Sequence, residues 1–131
     1  MAISLSGRRR KEPRQYPEPP NWWAGSLPEW LVYNALLRLG YKDRFTYQSP
    51  QMGGRLDKGG AVLDFYIPEL NLAINVQSLY FHYATTTRRV RGELQRAQLE
   101  SMGIKVIFVN ESAVLRNAIY YVGEAIRGVQ H

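Results

Sequence analysis

Two strand-like segments joined by a proline turn, then a helical stretch and a third strand, leave this chain few folds. AVLDFYI (61–67) and LAINVQ (72–77) are dominated by apolar residues, and Pro68-Glu69-Leu70-Asn71 between them reads as a turn. A connection that tight makes the two strands antiparallel. From 86 to 102 the pattern is helical, with Val90, Leu94 and Ala97 on one stripe and Gly103 as the stop, and IKVIFV (104–109) follows as a buried-type strand. A strand–helix–strand crossover makes its two strands parallel. The central sheet is therefore expected to be mixed.

The flanking segments complete the pattern. Ser26-Leu27-Pro28-Glu29 has the features of a helix start, with Ser26 as N-cap, Pro28 in the first turn and Glu29 at the capping-box position. Trp30, Leu31, Val32, Leu36, Leu37 and Leu39 follow, and Gly40 ends the segment. Residues 45–49 look extended. A closing helix over 112–127 carries Leu115, Ala118, Ile119, Val122, Ala125 and Ile126 at helical spacing. Trp22 and Trp23 are expected to staple the first helix to the sheet. The expected fold is α/β, a mixed four-stranded sheet flanked by helices in the order α-β-β-β-α-β-α.

With 131 residues the chain has room for one domain, placed at 22–131, behind a basic, proline-rich arm at 1–21. The net charge is +6; residues 1–20 contribute five basic residues (Arg8, Arg9, Arg10, Lys11, Arg14) against Glu12 and Glu18. Such an arm is either a solubilising tail or a segment that lies on phosphate and releases counterions. An ordered arm would imply an assembly partner. The absence of cysteine excludes disulfides, thiol catalysis and Cys-based zinc sites. No run reaches the roughly 18 apolar residues of a membrane span. A cytoplasmic protein, or one assembled into a particle there, is the expectation.

Asp64 interrupts an apolar strand, where an unpaired carboxylate is costly. If the hairpin turns about Glu69-Leu70, Asp64 falls opposite Asn75, and Gln77 lies two residues along on the same face. Either this face is solvated, or Asp64, Asn75 and Gln77 form a polar site.

Taken together, LDFYIPELNLAINVQSLYFHY followed by RGELQRAQLESMGIKVIFVNE resembles the restriction-endonuclease-like (PD-(D/E)xK) superfamily. It is most similar to the very-short-patch-repair endonuclease branch and its small phage and bacterial relatives. The superfamily's usual Glu-x-Lys position reads Asn75-Val76-Gln77 here. The branch, however, lacks that second acid and holds its metal with the strand Asp and a backbone carbonyl on the next strand. By position the resemblance implies Asp64 and the Val76 carbonyl as ligands of Mg²⁺ (or Mn²⁺). It implies Gln77 as a water or phosphate orienter, His82 as general acid or base, and Glu29 as an outer carboxylate. This chain departs from the branch at Ser78, where a Gly is usual, and at Arg91-Gly92 in place of Arg-Asp. The structural zinc of the repair enzyme has no cysteines here to hold it.

Each of these residues also has a plain reading. Glu29 completes a capping box, His82 sits among aromatics in an unpatterned stretch, and Asn75 and Gln77 can satisfy a wet sheet face. Arg88, Arg89 and Arg91 open a helix, the end that cations disfavour, which suits phosphate contact better than helix stability. Arg55 and Lys58, in the glycine-flanked loop 52–60, can reach a DNA backbone as well. The expected activity is a divalent-metal-dependent DNA endonuclease or nickase. The alternative is a catalytically degenerate nuclease fold serving as a DNA-binding or structural subunit, for example of a phage particle.

Overall fold

A computed structural model describes residues 18–49, 63–77 and 86–131, without the side chains of 49 and 86–92. Helix α1 (Leu27–Arg38) is followed by strands β1 (Thr46–Ser49), β2 (Leu63–Ile67) and β3 (Leu72–Gln77). Then come α2 (Thr86–Ser101), β4 (Lys105–Asn110) and α3 (Glu111–Ile126). The sheet runs β1-β2-β3-β4; β1–β2 and β2–β3 are antiparallel and β3–β4 is parallel. This is the expected mixed α/β sheet.

The hairpin has the expected register: Phe65 pairs with Ile74, Tyr66 with Ala73 and Ile67 with Leu72. Pro68–Leu70 forms a short 3-10 turn, and Asn71 closes it in the left-handed region at φ 48°, a conformation Asn tolerates better than most residues. Arg44 donates to both carboxylate oxygens of Glu69, tying this turn to the segment after α1.

Both faces of the sheet are covered. On one, Phe65, Ile67, Leu72, Ile74, Ile107 and Val109 pack against α1 and α3. On the other, Leu63, Tyr66, Ala73 and Val106 pack with Leu99 of α2. The face carrying Ala73 is thus a second core and not a solvated surface. A crossover helix must lie on one side of its sheet, and here that side is Ala73's.

Three expectations change. Of the stripe Val90, Leu94 and Ala97, the two described side chains do not face the sheet: Leu94 is 65% exposed and Ala97 is exposed, while Leu99 is the buried contact. The side chain of Val90 lies outside the described residues. Helix α3 is not continuous, because Asn117 leaves helical geometry (φ −162°, ψ 82°) and its Oδ1 accepts from the Tyr120 N–H at 3.1 Å, as an N-cap does. The break changes which residues reach the core. Val114, Val122 and Ala125 are buried, while Leu115 and Ile119 stand out at 42% and 39% exposure. Of the two tryptophans, Trp23 packs on Trp30, Tyr33 and Tyr47, whereas Trp22 meets Trp23 and Trp30 edge-on but stays 70% exposed.

Candidate functional site

The antiparallel ladder between β2 and β3 stops one residue short of Asp64. By the register, the Val76 N–H would meet the Leu63 carbonyl. It donates instead to Asp64 Oδ2 at 2.8 Å, and the Asp64 N–H donates to Asn75 Oδ1 at 2.9 Å. Two side chains have replaced the backbone ladder at the point where the strands part. On the other flank the pairing Tyr47–Phe65 and Ser49–Leu63 brackets Gln48, which has a positive φ of 52°. Alternation is disturbed here too, since Leu63 packs in the α2-side cluster while Phe65 and Ile67 pack in the other.

The second carboxylate comes from α1. The capping box predicted at Ser26 forms as expected: the Glu29 N–H donates to Ser26 Oγ at 3.2 Å and the Ser26 N–H donates to Glu29 Oε1 at 2.9 Å. That same Oε1 also accepts from the Tyr47 hydroxyl at 3.1 Å, so the cap is tied to β1. Tyr47 stacks on Trp23, with ring centroids 4.7 Å apart, and Trp23 Nε1 donates to the Ser26 carbonyl. Gly25 suits this crowding: a Cβ there would collide with the Tyr47 hydroxyl and lie 2.8 Å from Glu29 Oε1, so one or both side-chain ends would have to move.

The electrostatics join the two halves. Burial, opposed by the Val76 N–H and reinforced by the negative charge of Glu29, raises the Asp64 carboxyl to about 6. Burial first, and then the charge and hydrogen bond of Glu29 and the charge of Asp64, hold the Tyr47 hydroxyl above its ordinary value. Tyr47 therefore stays protonated and keeps donating to Glu29 across the physiological range.

Asp64, Val76 and Asn75 are thus gathered at one point, with Glu29 within electrostatic reach. Gln77 is half-buried at the end of β3, opposite Asn110 of β4. His82, Arg55, Lys58 and the arm residues Arg8, Arg9, Arg10 and Lys11 lie outside the described residues. Arg88, Arg89 and Arg91 fall within α2, but their side chains are likewise outside the description. Tyr47 is the residue that sequence reading missed. Its signal was faint: an aromatic two residues beyond Phe45 in a four-residue strand, with nothing local to point at Glu29.

As a metal site the donor set is lean. A strand residue presents its N–H and C=O to the same neighbour, so the Val76 carbonyl lies on the Asp64 side. Asp64 has one oxygen engaged by the Val76 N–H; Asn75 has spent its carbonyl oxygen on the Asp64 N–H. Among the described residues, no three His, Cys, Asp or Glu side chains cluster as a metal site. One carboxylate, one carbonyl and water nevertheless suit Mg²⁺, which keeps most of its water shell. Among the described residues no helix is long and apolar enough to cross a membrane. No protein-family model, curated protein or solved structure matches this chain.

Proposed function

We propose that the chain is a divalent-metal-dependent DNA endonuclease or nickase built on a reduced restriction-endonuclease-like core. The observation that carries this reading is the half-buried Asp64 at the parting of β2 and β3, facing the Val76 backbone with Glu29 in reach. A carboxylate raised to about 6 by burial is one that a cation would relieve. Asp64 and the Val76 carbonyl would hold Mg²⁺, which supplies positive charge at a scissile phosphate and a more acidic bound water. Glu29, kept in place by Ser26 and Tyr47, would add negative charge near that site. Gln77 offers an uncharged amide at the strand end for orienting water or phosphate. His82 enters as acid or base on the resemblance alone, as do the arginines and lysines that would hold the duplex backbone.

One observation favours the degenerate alternative. Asn75 stands where the superfamily has its second acid, and its amide is committed to the Asp64 backbone. A DNA-binding or structural subunit, such as one in a phage particle, needs no second acid at that position. Supercoiled plasmid incubated with the protein and Mg²⁺ or Mn²⁺ separates the two. Nicking that disappears in Asp64→Ala and His82→Ala supports the nuclease. Salt-sensitive DNA binding without nicking supports the alternative, and nicking that survives Asp64→Ala overturns the assigned site.

A further inference from the structure

The break in α3 leaves a cavity of about 140 Å³ on the seam between α1 and α3, and it shares no residue with the hairpin site. Its apolar wall includes Leu31 and Val114, both buried, and the exposed Leu115 and Ile119 at its mouth. A void near 150 Å³ takes a group the size of a benzene ring. Arg38 and Arg116 also line it, and no carboxylate does. Both arginines are exposed, and among the described residues neither pairs with an acid. Arg116 is held at the rim by a hydrogen bond to the Tyr121 hydroxyl at 3.0 Å and lies over that ring.

We propose that this groove docks an acidic segment of a partner protein, which inserts one large apolar side chain between Arg38 and Arg116. The charge selects among occupants. The chain's own residues 1–20 carry five basic and two acidic groups, and they would bring like charge to the rim. A second copy docked face to face through this groove would set arginines against arginines. A nucleic acid satisfies the arginines and leaves Leu115 and Ile119 facing phosphate and water. An acidic peptide with a Leu, Phe or Trp anchor satisfies both.

The test uses the full chain and a labelled short peptide of Glu and Asp around one Trp. Variants are checked by circular dichroism and urea midpoint. Binding that falls roughly tenfold in Arg38→Glu, Arg116→Glu, or a Trp-to-Ala peptide supports the proposal, as does recovery of the Glu variants by a Lys-based peptide. Chemical-shift changes confined to Leu31, Leu115 and Ile119 would agree. It is overturned if the acidic peptide does not bind, or if binding ignores the arginine reversals. Displacement of the peptide from these residues by duplex DNA, or concentration-dependent self-association lost in Ile119→Ser, also overturns it. None of these readouts depends on nuclease activity.

Discussion

The two ends of the β2–β3 hairpin are built on opposite principles. At the turn end, Phe65–Ile74 and Ile67–Leu72 pair by backbone and bury their side chains completely or nearly so. At the far end, the side chains of Asp64 and Asn75 accept the hydrogen bonds that backbone carbonyls accept elsewhere, and the strands separate. Apolar packing needs only close, regular spacing, which a ladder supplies. A half-buried carboxylate needs donors and room, which a ladder denies. The closed end stabilises; the open end holds a charge that the fold would lose less by neutralising.

The contrast is broken most strongly at its closed end. Phe65 is fully buried, so Phe65→Ala should cost about 3–5 kcal/mol in urea denaturation. A loss under about 1 kcal/mol would mean the hairpin core repacks freely.

The open end should respond to pH with the opposite sense from a paired carboxylate. The folded-state value of Asp64 is about 6 against 3.8 ordinarily, so the folded chain keeps a proton that the unfolded chain has released. Stability contributed by this group is full below 3.8, falls as pH rises, and is gone above about 6, a change of about 3 kcal/mol. Urea unfolding in EDTA at pH 4 and pH 7.5, comparing wild type with Asp64→Asn, isolates it. The variant should gain on the wild type by most of that amount between the two pH values. Adding Mg²⁺ at pH 7.5 should stabilise the wild type alone. A pH-independent difference would show that Asp64 is well solvated.

Smaller effects test the link from α1. Ser26→Ala removes the cap and should cost about 1 kcal/mol by thermal or urea melting. Tyr47→Phe removes one hydrogen bond to Glu29 and should cost about 0.5–1 kcal/mol, the smallest change here. If plasmid nicking is present, Tyr47→Phe should lower kcat more than it raises KM. An unchanged kcat would detach Tyr47 from the site.

Much of the architecture was legible because its determinants are local. Ser26 and Glu29 are three residues apart, and a capping box needs nothing more. The hairpin register follows from a short proline turn, which places Asp64 beside Asn75 from the sequence alone. Helix faces were less legible. Leu94 fits an apolar stripe on α2, yet the sheet contacts Leu99, because the crossover's length and direction set the rotation of the helix. Leu115 and Ile119 fit a continuous helix that Asn117 interrupts.

What the sequence determined by itself was the order of elements, the mixed sheet, the hairpin register and the cap on α1. These rest on propensity, turn chemistry and alternation within a few residues. Only the tertiary structure decided that Ala73's face is a second core, that the ladder opens at Asp64, and that Tyr47 of β1 holds Glu29 of α1. Those outcomes depend on which surfaces meet across the sheet. Residues 29, 47 and 64 are brought within electrostatic reach by packing, and no spacing along the chain encodes it.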